Sequence, residues 1–444
     1  MTQFDKRNIS MMMDLYEMTM ANGYFANQQK PQKVVFDVFY QKNPDQGGYA
    51  VFAGLEQVVE YAENLHFDSA DMDYFRSLNL YSEEFLQYLK EFRFTGDIYA
   101  FPEGTVMYPN EPVITVVAPL IDAQLIETAI LTQVNHQSLI ATKASQIVRA
   151  AQGRSVSDFG ARRAHSWVMY FKDEYEAFRR YAEVYPDNVV LLVDTYDVLH
   201  SGVPNAIRVA KEVLEPMNRR LKGVRLDSGD LAYLSKKVRK MLDDAGLEDC
   251  KIVVSNSLDE YTITSILNQG GKINSFGVGE RLITAKSNPV FGAVYKISAV
   301  EENGSFVPRI KVSETVEKIT NPGLKQVYQV FGDCGQAVAD LITGAEEEVD
   351  LTNPYRYVDP EKPWKNRHFE NCTAKKLQKL IVKNGRRIAP VQSLKEIRAY
   401  VKRQLDTEIW PEEQRFENPH KHYLDMSPAY YGMKMNLLDE AKNL

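Results

Sequence analysis

Four times between residues 191 and 282 an apolar run ends in a cluster of small, acidic or hydroxyl-bearing residues. The clusters are Asp194-Thr195-Tyr196-Asp197 after VVLLV, Asp227-Ser228-Gly229-Asp230 after GVRL, Ser255-Asn256-Ser257 after KIVV, and Gly277-Val278-Gly279-Glu280-Arg281 after INSF. Carboxylates set beside hydroxyls suit the vicinal hydroxyls of a sugar, or a divalent cation with oxygen ligands. The Gly277-Val278-Gly279 turn is different: its bare amides, with Arg281 and Thr284 close behind, suit an anion such as phosphate. Arg162 and Arg163, in SDFGARRAH, add two guanidinium forks that match carboxylate or phosphate. A phosphorylated sugar, a metal and a separate anionic acceptor would use all of these groups, so phosphosugar transfer is the reaction class, with aldolase or isomerase chemistry as alternatives. Asp, Ser and Gly also cap helices and close turns, and Asp230 and Asp259 are expected to do so.

The elements that must carry these clusters follow from their spacing. First members at 194, 227, 255 and 277 lie 33, 28 and 22 residues apart, close to the ~30 residues of a βα unit in a (β/α) barrel. Consecutive parallel strands then bring the clusters to one rim, where α/β enzymes hold their ligands. The stretch 224–246 shows the grammar: a strand, Asp230 as N-cap, a helix with apolar Leu231, Leu234, Val238 and Leu242, and Gly246 as its stop. Before it, 122–153 has apolar residues at helical spacing and is expected to form one long helix, or two joined near Asn135. Up to residue 119 a Met-rich helical start at 10–24 mixes with short strands, an α/β layer. Beyond 299 short strands, Pro-containing turns and a helix at 393–405 are expected to return to that first layer. The expected domains are therefore 1–120, 121–300 and 301–444.

At 444 residues the chain exceeds the ~250–300 at which one core stops growing. Its 44% hydrophobic and 25% charged residues are ordinary for a globular enzyme. A net charge of −7 argues against nucleic acid or an anionic membrane as partner. No apolar run approaches a membrane span and the start MTQFDKRN lacks a signal-peptide core, so a cytosolic protein is expected. Cys250, Cys334 and Cys372 stand far apart, which supports neither a disulfide framework nor a zinc site.

Longer motifs carry a resemblance. DLYEMTMANGYF, GGYAVFAGLE, EPVITVVAPLIDAQLIETAILTQVNHQSLIATKAS, SDFGARRAH, HSWVM, LLVDTYD, GVRLDSGDL, SNSLDEY, FGVGERLITAKSNPVFGAVYKI and EKITNPG occur in order over nearly the whole chain. Together they resemble the nicotinate phosphoribosyltransferase family. The resemblance implies a type II phosphoribosyltransferase architecture, with an N-terminal α/β domain packed on an irregular, TIM-like α/β barrel, working as a homodimer. It implies the joining of nicotinate to phosphoribosyl pyrophosphate, giving nicotinate mononucleotide and pyrophosphate, driven by ATP through a phosphorylated histidine and accompanied by Mg²⁺.

By the same motifs, Tyr16 is expected to stack on the pyridine ring, and Arg162 and Arg163 to bind the nicotinate carboxylate and pyrophosphate. Asp227 and Asp230 are expected to serve catalysis at the ribose hydroxyls or to hold Mg²⁺, with Asp194 in support and Ser255 and Asn256 at the substrate. Gly277, Gly279, Arg281 and Thr284 are expected around the 5′-phosphate. The family pattern places a further loop and strand between RRAH and AHSWVM, whereas here they are fused as RRAHSWVM. About one βα unit, ~30 residues, is not written between them. Either two pieces are joined across an omitted loop, the expected case because loss of a central barrel strand would leave sheet edges unpaired, or the protein lacks it. His165, the candidate phosphorylated histidine, answers to both motifs. A nicotinamide-specific transferase should lack the paired arginines. A catalytically impaired homologue acting as a structural or interaction protein is the alternative outside the enzyme class.

Overall fold

The computed structural model describes residues 8–28, 31–158, 173–313, 318–349, 351 and 355–442. The chain forms two compact units, one of residues 1–142 with 290–444 and one of residues 143–289. Both mix helices and sheets, the α/β class that the sequence implies.

The first unit is built on a seven-stranded antiparallel sheet. The strand Lys33–Tyr40 lies inside it, paired on one side with Ala293–Glu302 and on the other with Ile114–Pro119. Its sequence KVVFDVFY reads as a strand buried on both faces, and seven of its eight residues are buried. The exception in kind is Asp37, whose carboxylate accepts the hydroxyl of Thr115 at 2.6 Å and the ammonium of Lys325. A buried carboxylate is tolerable because it is paired in this way. Among the described residues the unit also holds a six-stranded sheet made from 325–344, 355–376 and 424–426 and a small two-stranded pair.

The apolar stretch expected to be one helix, or two joined near Asn135, is a short helix Leu120–Gln124 followed by a 24-residue helix Glu127–Ala150. The interruption falls at residues 125–126 instead. Asn135 sits inside an unbroken turn, and its side-chain oxygen accepts the backbone N–H of Ala293 at 2.7 Å.

Among its described residues the second unit carries five parallel strands. Their spatial order is Ser155–Asp158, Ser275–Val278, Lys251–Val254, Gly223–Leu226 and Val190–Leu192. The 224–246 grammar holds: Asp230 caps the helix Leu231–Asp244 by accepting the N–H of Tyr233 at 2.9 Å, and Gly246 follows it at φ +76°. Leu231, Val238 and Leu242 are buried on its inner face.

Candidate active site at the carboxyl rim of the parallel sheet

Strand register aligns the clusters. Leu192 is level with Arg225, Leu226 with Val254, Phe276 with Val254 and Gly277 with Ser157. Carried one or two residues past the strand ends, these registers put Asp194, Asp227, Ser255 and Gly277 in a single row across the sheet. The intervals of 33, 28 and 22 residues in the sequence are the lengths of βα excursions that return to this row.

Side chains then tie the row together. Oδ2 of Asp194 accepts both the backbone N–H of Asp227 at 2.8 Å and the hydroxyl of Ser228 at 2.6 Å. On the other flank the hydroxyl of Ser255 donates to Oδ1 of Asp227 and accepts from Nε of Arg225 at 2.8 Å. Nη2 of Arg225 is 3.3 Å from the same Oδ1. Asp227 is thus held by both neighbouring strands while its side chain stays 42% exposed.

Arg225 was not among the residues singled out from the sequence. Its signal is the strand period of two: in Gly223–Leu226 it alternates with buried Val224 and Leu226, on the same face as Asp227. A polar residue two places before a rim carboxylate shares its face, and register decides what it meets.

Backbone conformation also marks the rim. Asn256 and Ser257 both have positive φ, 92° and 48°, immediately after Ser255, a pairing that costs conformational energy for residues with a side chain. Gly229 has φ +76°, and a Cβ there would lie 2.9 Å from Cδ1 of Leu234, so the Asp227-Ser228-Gly229-Asp230 turn requires glycine.

Gly277 ends a strand and Gly279 precedes the four-residue helix Glu280–Ile283. Arg281, expected to face a phosphate, has Nη1 2.5 Å from Oδ2 of Asp259, and that carboxylate also caps the helix Glu260–Asn268 by accepting the N–H of Thr262 at 2.8 Å. The charge of Arg281 is therefore partly matched within the protein. Thr284 is exposed, and its hydroxyl donates to the carbonyl of Glu280 at 2.8 Å. Beneath these loops Lys143 forms a buried ion pair with Glu260 at 2.7 Å and donates to Ser287 at 2.8 Å.

Among the described residues no group of three or more His, Cys, Asp or Glu side chains gathers as a metal site. Mg²⁺ does not need one, since it keeps waters and takes one or two carboxylates together with substrate phosphates. Asp227 fits that pattern, because none of the described residues donates a hydrogen bond to its Oδ2. Asp230 commits one oxygen to its helix cap and is otherwise exposed.

Tyr16 belongs to the first unit, on the helix Leu15–Ala26, where it is 43% exposed. Burial of its hydroxyl end, followed by the nearby Glu127 carboxylate, holds its phenol well above the usual range. Its neighbour Glu17 is fully buried, and burial pushes its carboxyl up to about 7, with Glu127 adding to the effect and hydrogen bonds from Thr128 opposing it. Arg162, Arg163 and His165 lie outside the described residues.

Comparison with known proteins adds family information to this geometry. Residues 11–135 match the model of the nicotinate phosphoribosyltransferase N-terminal domain, and residues 324–434 that of its C-terminal domain. The chain is 39% identical over 480 aligned positions to nicotinate phosphoribosyltransferase of Bacillus subtilis, covering 99% of this chain and 97% of that protein. It is 37% identical over 438 positions to a nicotinate phosphoribosyltransferase of Mycobacterium tuberculosis, covering 88% and 86%. The crystal structure of human nicotinic acid phosphoribosyltransferase superposes with a TM-score of 0.82 at 25% identity, covering 96% of this chain and 99% of that one. Since 480 aligned positions exceed 444 residues, the Bacillus subtilis relative has residues at 36 or more positions where this chain has none.

Proposed function

The chain belongs to the nicotinate phosphoribosyltransferase family, and on that premise we propose that it joins nicotinate to phosphoribosyl pyrophosphate, releasing pyrophosphate and yielding nicotinate mononucleotide for NAD biosynthesis. In this reaction the bond between ribose C1 and the pyrophosphate oxygen breaks, and the pyridine nitrogen forms its bond to the same carbon. Positive charge builds on the ribose as pyrophosphate departs, and a fixed carboxylate beside the ring stabilises it. The observation that carries this reading is the two-sided anchoring of Asp227, by Asp194 through its backbone and by Ser255 and Arg225 through its side chain. A carboxylate so oriented, with one oxygen that no described residue engages, can act at the ribose without any nucleophilic side chain.

The remaining roles are assigned by the family motifs. Arg162 and Arg163 pair with the nicotinate carboxylate and the pyrophosphate, and Tyr16 stacks on the pyridine ring. Asp230 serves the ribose hydroxyls, Asn256 contacts the substrate, and the turn from Gly277 to Arg281, with Thr284 behind it, serves the 5′-phosphate. Because Asp259 already engages Arg281, the amides of that turn carry more of the phosphate's charge. Asp227 and Asp230 are the side chains that would hold Mg²⁺, which when bound neutralises phosphate charge. His165 is the residue assigned to the phosphoryl relay that couples ATP hydrolysis, and the active form is a homodimer in the cytosol.

The test is direct. Purified protein is given nicotinate, phosphoribosyl pyrophosphate and Mg²⁺, with and without ATP, and nicotinate mononucleotide and ADP are measured together. Synthesis matched by ADP release is expected, with nicotinamide a poor acceptor. No product under either condition would favour the catalytically impaired homologue, for which the fused RRAHSWVM stretch is the motivating observation.

A further inference from the structure

The family motif places Ser255 at the substrate, yet its surroundings assign it a different task. The residue is only 2% exposed, too enclosed to offer its hydroxyl to a sugar on the rim. That hydroxyl is also committed on both sides, accepting from Nε of Arg225 at 2.8 Å and donating its one proton to Oδ1 of Asp227. A guanidinium can only donate and an ionised carboxylate can only accept, so the direction of this chain is fixed: Arg225 to Ser255 to Asp227. The 3.3 Å contact between Nη2 of Arg225 and the same Oδ1 closes the three groups into a triangle.

The triangle crosses two strands. Arg225 and Asp227 flank Leu226 on one strand, while Ser255 follows Val254 on the next, its backbone N–H donating to the carbonyl of Leu226 at 2.9 Å. That bond fixes where the serine stands, and the serine fixes where both charged groups point. Without the hydroxyl, Oδ1 of Asp227 would keep only the longer contact to Arg225 among the described residues, and the carboxylate would regain rotamer freedom. Binding substrate does not require such constraint, but an electrostatic role in a transition state does, because the charge must already be in place when the bond breaks.

We propose that Ser255 is a positioning residue for the transfer reaction, whose buried hydroxyl locks Arg225 and Oδ1 of Asp227 together so that Oδ2 remains available to the ribose. This rests on the functional reading above and deepens it. Ser255 acts through Arg225 and Asp227, with no contact to the substrate of its own.

The experiment compares wild-type protein with Ser255→Ala and Ser255→Thr, in steady-state kinetics for nicotinate and phosphoribosyl pyrophosphate and in thermal melting. Ser255→Ala should lower kcat by about 10- to 100-fold, the scale of loss expected from small misplacement of a catalytic group. Its KM for phosphoribosyl pyrophosphate should stay within a few-fold and its melting temperature near wild type. Ser255→Thr, which restores a hydroxyl, should recover most of kcat. A kcat within about twofold of wild type in Ser255→Ala would overturn the proposal. So would a rise in KM for phosphoribosyl pyrophosphate with kcat retained, which would make Ser255 a direct contact, or a loss of activity that follows a lowered melting temperature in both variants. A wild-type protein that makes no nicotinate mononucleotide would overturn the functional reading itself.

Discussion

Oδ2 of Asp194 lies 2.8 Å from the backbone nitrogen of Asp227, thirty-three positions further along the chain. One carboxylate oxygen thereby holds the first peptide after the strand Gly223–Leu226, and with it the hydroxyl of Ser228. Hydrogen bonds to a charged acceptor are worth ~1.5–3 kcal/mol net, enough to hold a surface loop in one conformation. The supporting role expected for Asp194 thus has a physical form, in which it orders the turn from which Asp227 projects.

Asp227→Asn should abolish most turnover while leaving the fold intact. The amide keeps an oxygen for Ser255 to donate to, so the melting temperature should change little, whereas the lost charge should cost ~10²-fold or more in kcat. Activity within a few-fold of wild type would reduce Asp227 to a turn residue.

Acceptor choice is tested at the paired arginines. If Arg162 or Arg163 pairs with the nicotinate carboxylate, replacing that one by Ala should raise the KM for nicotinate and narrow the preference over nicotinamide. Removal of one partner from a buried charged contact costs ~2–5 kcal/mol. Selectivity unchanged in both single variants would place recognition of the acid elsewhere.

Gly202→Ala tests the support under Asp194. The backbone of Gly202 is ordinary, at φ −59°, but a Cβ there would lie 1.8 Å from the carbonyl oxygen of Val193. That carbonyl belongs to the residue before Asp194, so the added methyl must displace either the helical segment Val198–Gly202 or the strand end. Overpacking of this kind costs ~1–3 kcal/mol. Lower stability in denaturant titration, with kcat reduced beyond what the folded fraction explains, is the expected pair of outcomes.

Glu17 should make stability fall with rising pH. Its folded carboxyl titrates at about 7, against 4.5 for the free group, because burial disfavours the ionised form. The folded protein therefore binds a proton between those values that the unfolded chain does not, and stability from this group is complete below 4.5 and lost as pH rises through 7. Glu17→Gln keeps a carbonyl to accept the N–H and hydroxyl of Thr128 and removes the titration. Relative to wild type it should gain on the order of 1–3 kcal/mol at pH 8 and nothing at pH 4.5. Parallel stability curves for the two proteins between those pH values would show that Glu17 ionises without cost in the folded state.

The βα spacing of the four clusters, the cap at Asp230 and the stop at Gly246 could all be read directly from the chain. Each depends on neighbours within a few residues, or on an excursion length set by a strand and its returning helix. Family membership was equally legible, because long ordered motifs persist in the chain whatever their contacts. The partners of the charged groups were not. Arg225 meets Ser255 across a strand boundary, Arg281 meets Asp259 twenty-two positions away, and Asn135 serves the backbone of Ala293 in place of breaking its helix. Those pairings follow from the register of parallel strands and the packing of a helix against a sheet, where a shift of one residue would turn every side chain to the other face. The sequence determined which groups arrive at the rim, and only the tertiary structure decided which of them are already matched and which, like Oδ2 of Asp227, accept no hydrogen bond from any described residue.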